Sequence, residues 1–135
     1  MSQMTGNTNH IKIITLNVNG LNSIIKRHRL ADWIKKKDPT ICCLQETHLI
    51  ERDTHRLKVE GWDKKHTTHM NSVKEQRYLS ILLSDKMDFK PKLVRRDKKG
   101  HFILLKGSIK QQDIIILNIY APNNGASMYI KHMVC

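Results

Sequence analysis

Apolar residues fall into short runs separated by polar, basic stretches, and the runs carry two different periods. Residues 11–16 (IKIITL) form a β-branched run that gives way to Asn17-Val18-Asn19-Gly20, the pattern of a strand entering a turn. Residues 24–37 (IIKRHRLADWIKKK) change period: Leu30, Trp33 and Ile34 share one helical face, while Lys26, Arg29, Lys36 and Lys37 lie mostly off it. Ser23 is placed to cap this helix, Lys35, Lys36 and Lys37 suit the negative end of its dipole, and Asp38-Pro39 stops it. Residues 40–45 (TICCLQ) predict a second, buried strand running into Glu46-Thr47-His48. Strand, helix and strand in this order predict parallel neighbours joined by a right-handed crossover.

Residues 50–78 are polar and basic and predict loops, with room for one short helix or edge strand. Further strands are predicted at 79–84, 92–95, 101–109 and 113–119, with a turn at Ser84-Asp85-Lys86 and hairpin turns at Asp97-Lys98-Lys99-Gly100 and Gln111-Gln112. Pro122 closes the last strand, because proline cannot stay in a central ladder, and a new amphipathic segment begins at Met128. Residues 1–9 read as a disordered leader and 10–135 as one incomplete α/β domain. Five to six strands with one complete helix cannot cover both faces of a sheet of this kind.

Charge narrows the partners. Lys and Arg total 24 against 12 Asp and Glu in 135 residues, a net charge of +12. Such a surface suits polyanions, with DNA first and RNA second. No apolar run approaches the ~20 residues that span a bilayer, so no membrane partner is expected. The first ten residues, MSQMTGNTNH, hold no apolar signal core. Cys42, Cys43 and Cys135 make no disulfide framework and fit a reducing compartment, cytoplasm by default. The sequence assigns no oligomeric state.

Asn17 and Glu46 both fall just past the ends of their strands. If those strands are parallel neighbours, both side chains project into one mouth, where open α/β sheets bind ligands. A carboxylate and an amide carbonyl are hard oxygen donors suited to Mg²⁺, and Mg²⁺ suits phosphodiester chemistry. Asn17 as a plain turn residue and Glu46 as a solvated strand end is the alternative on spacing alone. Tyr120 reads either as a wall of the core or as a phenol at that mouth. Trp62 reads either as packing or as a base contact, whereas Trp33, on the apolar face of its helix, reads as core. His66 and His69 form the only close histidine pair and lack a neighbouring cysteine, which argues against zinc. The basic runs at 26–29, 35–37 and 95–99 are either solvated faces or phosphate contacts.

LNVNG at 16–20, LQET at 44–47 and NIYAPN at 118–123, in this order, closely resemble the start of the LINE retrotransposon second-open-reading-frame proteins. That start is an apurinic-type endonuclease domain of the endonuclease/exonuclease/phosphatase superfamily. The resemblance covers almost the whole chain and implies a four-layer α/β sandwich, two packed sheets flanked by helices, of which this chain is roughly the N-terminal half. It implies Mg²⁺-dependent nicking of target DNA at T-rich/A-rich sites that primes reverse transcription, and a nuclear location. It also implies catalytic roles for Asn17, Glu46 and Tyr120, with Glu46 and Asn17 at the metal and Tyr120 at the scissile phosphate.

Two departures qualify that implication. The family's Gly-Asp-Phe-Asn and Ser-Asp-His motifs, which follow the tyrosine strand and supply further catalytic Asp, Asn and His, are absent from these 135 residues. The segment after NIYAPN then corresponds to the helix that precedes them. Arg77-Tyr78-Leu79-Ser80 also stands where the family has a glycine, so Tyr78 is expected to disturb the start of a core strand. The chain is expected to be inactive by itself. The alternative is a LINE-derived remnant that binds nucleic acid through charge alone.

Overall fold

The computed structural model describes residues 11–49, 55–67, 78–97 and 100–121, and the backbone of 125–133. The expected leader at 1–9 lies outside these residues. The elements run β1 (Ile13–Asn17), α1 (Ile24–Lys37), β2 (Ile41–Gln45), β3 (Lys64–Thr67), β4 (Ser80–Leu83), β5 (Phe89–Arg96), β6 (Phe102–Ile109), β7 (Gln112–Ala121) and β8 (Gly125–Met133). They form two four-stranded sheets, ordered β1-β2-β4-β3 and β5-β6-β7-β8.

The predicted β1–α1–β2 unit is present. β1 and β2 pair in parallel with Asn17 opposite Gln45. The Ser23 side chain caps α1 by accepting from the Lys26 N–H at 3.4 Å. At the other end Asp38 turns left-handed and its N–H donates to the Ile34 carbonyl at 2.8 Å. No helix among the described residues is long and apolar enough to cross a membrane.

All five residues of β2 are buried, and they alternate between two cores. Cys42 and Leu44 face α1 and pack with Leu30, Ala31, Ile34, Leu57 and Trp62. Ile41 and Cys43 face the second sheet and pack with Ile81, Ile103, Leu105, Ile114 and Ile116. A strand covered on both faces needs an unbroken apolar run, which is why TICCLQ shows no alternation. Burial pushes the Cys42 thiol up to about 12 and raises Cys43 as well, so both stay protonated packing residues.

Four local expectations are corrected. Residues 128–133 continue β8, antiparallel to β7, and are no helix. β5 begins at Phe89, with a register shift between Pro91 and Leu93 that lets the proline sit in an edge strand. The β6–β7 turn is Lys110-Gln111, both at positive φ, one residue before the predicted pair. Tyr78 is buried without breaking the strand: its carbonyl accepts from the Thr47 N–H at 3.1 Å, and β4 starts at Ser80.

Candidate active site

β2 and β7 end at the same side of the sandwich, one in each sheet. Asn17 is the last residue of β1, and Glu46 follows β2 directly in the left-handed region, at φ 55°. Tyr120 is the penultimate residue of β7. Asn17 Nδ2 donates to Glu46 Oε2, and the Tyr120 hydroxyl donates to Glu46 Oε1 at 3.4 Å. One carboxylate is therefore held from both sheets at once. The two readings of Tyr120 merge: its ring belongs to the inter-sheet core while its phenol faces the mouth.

Backbone pairing continues beyond the strands and shapes this mouth. The N–H groups of Val18, Gly20 and Leu21 donate to the carbonyls of Gln45, Glu46 and Thr47 at 3.0, 2.6 and 2.8 Å. Asn19, Glu46 and His48 all adopt positive φ. Such conformations cost energy and persist where surrounding contacts over-determine them, commonly at functional sites. Gly20, at φ 91°, lies against His48, and a Cβ there would approach His48 Nδ1 to 2.9 Å. The LNVNG glycine is thus needed both for its backbone and for the space it leaves.

Beneath the mouth lies a buried amide pair that sequence reasoning did not single out. Gln45 Nε2 donates to Thr15 Oγ1 at 2.8 Å and to Asn118 Oδ1 at 3.0 Å. Asn118 Nδ2 in turn donates to the carbonyls of Leu44 and Ser80 at 3.2 and 3.1 Å. The three bonds of Asn118 cross from one sheet to the other, two residues before Tyr120 and one before Glu46. The available signal was a lone amide inside the apolar run DIIILNI, since a buried polar group needs partners. Trp62 is settled as packing: it is buried and its Nε1 donates to the Pro39 carbonyl at 2.9 Å.

The donor set suits a cation held by few protein ligands. Among the described residues no group of three or more His, Cys, Asp or Glu could hold a metal. Glu46 supplies the carboxylate. The Asn17 carbonyl accepts from the Asn19 N–H at 3.0 Å, which leaves its second lone pair. One carboxylate and one amide oxygen are hard donors that suit a divalent cation which keeps most of its waters.

A family model described as the Endonuclease/Exonuclease/phosphatase family matches residues 14–127. The DNA repair nuclease APEX1 of Danio rerio is 40% identical over 52 residues, which cover 38% of this chain and 16% of that protein. An exodeoxyribonuclease of Bacillus subtilis is 22% identical over 119 residues, 84% of this chain and 44% of that protein. The crystal structure of TDP2 from Caenorhabditis elegans superposes with a TM-score of 0.61 at 23% identity, covering 84% of this chain and 36% of that one. The chain therefore spans less than half the length of each of these proteins.

Proposed function

The chain belongs to the endonuclease/exonuclease/phosphatase family, and on that premise we propose that it is the metal-holding, phosphate-gripping part of a Mg²⁺-dependent DNA phosphodiesterase, of the LINE target-nicking type. The observation that carries this reading is the Glu46 carboxylate held by Asn17 from one sheet and by Tyr120 from the other. Nucleases of this family are generally divalent-metal dependent, and the named relatives are DNA-processing enzymes, which supports DNA as substrate. The LNVNG, LQET and NIYAPN motifs support the LINE assignment, and a nuclear location goes with it.

In this reading Glu46 and Asn17 hold the ion, which when bound offsets charge on phosphate oxygens. Asn17 Nδ2 fixes the carboxylate's orientation, and the Tyr120 phenol, whose one O–H donates to Glu46 Oε1 in this structure, would turn that donor to a phosphate oxygen when substrate is bound. The buried amide pair keeps the two sheets in register. The Gly-Asp-Phe-Asn and Ser-Asp-His motifs, which in the family supply groups for the attacking water and the leaving oxygen, are absent from these 135 residues. Losing one such group typically costs about 10²–10⁴-fold. Residues 1–135 are therefore proposed to bind without turning over. The net charge of +12 favours the second reading, a charge-based nucleic-acid binder with no reaction.

The test has two arms. Mg²⁺ titration calorimetry should show weak binding that Glu46→Gln removes and Asp85→Asn, in the distant β4–β5 turn, leaves intact. Supercoiled plasmid with Mg²⁺ should remain un-nicked by the chain itself, with circular dichroism confirming that it is folded. Joining the chain to the second half of a related domain should yield nicking that depends on Glu46. Equal Mg²⁺ binding by wild type and Glu46→Gln would remove the metal assignment. Nicking by residues 1–135 that Glu46→Ala abolishes would overturn the inactivity.

A further inference from the structure

The helix that follows the Asn17 strand carries charge of the wrong sign at its start. A helix N-terminus is the positive end of the dipole and favours acids, yet the first turn of α1 holds no acid and contains Lys26 and Arg27. Lys35, Lys36 and Lys37, in the last turn, follow the rule. Cations in a first turn need other acceptors to be favourable there, and these two have them. Arg27 Nη1 donates to the Leu21 and Asn22 carbonyls at 2.8 and 3.0 Å, and Lys26 Nζ donates to the Asn19 carbonyl at 3.0 Å. All three carbonyls belong to the loop between β1 and α1, which starts at Asn17.

That loop is held from two sides. Its Gly20 and Leu21 N–H groups donate to the chain after β2, and its carbonyls accept from α1. The peptide unit between Asn19 and Gly20 is gripped at both ends: its carbonyl accepts from Lys26, and its N–H donates to the Glu46 carbonyl at 2.6 Å. One peptide earlier, the Asn19 N–H donates to Asn17 Oδ1 at 3.0 Å, and Asn17 Nδ2 donates to the Glu46 carboxylate. A series of bonds through one residue of backbone thus leads from Lys26 to that carboxylate. Asn19 at φ 49° and Gly20 at φ 91° hold conformations that persist only under such restraint. Lys26 and Asn17 are walls of one cleft of about 410 Å³, which places this cation on the mouth side of α1.

We propose that Arg27 and Lys26 are positioning residues for the mouth: by clasping the Asn19, Leu21 and Asn22 carbonyls, they hold the loop that orients Asn17 against Glu46. Arg27 is half-buried and reaches two carbonyls, whereas Lys26 is exposed and reaches one, so Arg27 has the larger share. Bonds from a charged donor are stronger than neutral ones, and they polarise the peptide they grip. The Gly20 N–H is thereby made a better donor to the Glu46 carbonyl. Groups that orient a metal's ligands typically matter about 10–100-fold in affinity. The proposal rests on the mouth reading and adds what fixes the geometry of that site.

The test follows the Asn17 side-chain amide by nitrogen-15 NMR of the full chain, first in EDTA and then through a magnesium chloride titration. In EDTA, Arg27→Gln and Lys26→Gln should each shift the Asn17 Nδ2 signals and speed their exchange with water. Mg²⁺ affinity should fall by about 10-fold or more in the double variant, by less in Lys26→Gln, and Arg27→Lys should recover part of the Arg27→Gln loss. Ser23→Ala removes the α1 cap and should lower the melting temperature while leaving the Asn17 signals and the affinity unchanged, which separates positioning from general loosening of the helix. Lys26→Gln, at an exposed residue, keeps the result interpretable should Arg27→Gln unfold. Glu46→Gln that binds Mg²⁺ as wild type does would overturn the metal reading, and the measurement in EDTA would still decide the clasp. Unchanged Asn17 signals in Lys26→Gln and a folded Arg27→Gln would overturn the proposal, as would a shift of the same size in Ser23→Ala.

Discussion

Asn118 carries no charge and touches no solvent, yet its amide bonds reach residues of both sheets. A leucine, of similar branching but larger, would leave the Leu44 and Ser80 carbonyls and Gln45 Nε2 each short of a partner. Unmet buried groups cost about 1–3 kcal/mol apiece, with relief where a carbonyl keeps its ladder bond. Asn118→Leu should therefore destabilise by about 2–3 kcal/mol in urea unfolding. Adding Gln45→Leu should cost less than Gln45→Leu does by itself, because the shared bond is already gone. A loss under ~0.5 kcal/mol would show that the pair is incidental. His66 supplies the pH prediction. Its folded pKa lies below the ordinary 6.5, so the unfolded chain binds the proton more readily. Stability should be flat above that value, fall as pH drops from about 6.5 toward the lowered folded value, and level off below it. Thermal melts across that window check it: His66→Gln should flatten part of the slope, and an identical slope in the variant would remove His66 as its source.

Elements were legible where their cause is local. α1 follows from a period, a cap and a Pro39 stop within one stretch of sequence, and β2 from a run too apolar to be half-exposed. Asn17 and Glu46 could be placed together because both follow from the β1–α1–β2 crossover. β8 could not be read, because MYIKHMVC suits either period and the pairing partner that decides it is the far edge of β7. β3 is an edge strand without apolar alternation, and Gln45 and Asn118 show their purpose only once two sheets are stacked. Gly107 is another position with no local signal. It sits mid-strand in β6, and a Cβ there would come within 2.4 Å of both the Lys90 carbonyl and the Phe89 ring. Phe89 is buried in the inter-sheet core and the carbonyl is backbone, so neither yields cheaply. Gly107→Ala should cost about 1–3 kcal/mol, as overpacking does, against a slight gain at an open strand glycine. Denaturant unfolding checks it, and Phe89→Leu in the same chain should recover part of the loss.

At the scale of the whole molecule, two surfaces pull in opposite directions. α1 covers one face of the first sheet, but no described helix lies on the outer face of the second. There Phe102, at 36% exposed, stands beside half-buried Leu104, Ile115, Leu117 and Ile119, with Leu93 of β5 at 40%. Contiguous apolar surface of this kind favours association. The net charge of +12 opposes it, since two copies repel wherever the Debye length exceeds their separation. Salt shortens that length from about 10 Å at 0.1 M to 3 Å at 1 M, weakening repulsion while leaving apolar attraction in place. Self-association should therefore rise with salt, the opposite sign from oligonucleotide binding, which loses affinity as counterions compete for phosphate. Light scattering of the free chain should increase between about 0.05 and 0.5 M NaCl. Phe102→Thr/Leu117→Thr should keep it flat, because both side chains stand on that outer face. Scattering that falls with salt would assign association to ion pairs between copies and leave the second sheet's outer face without that part.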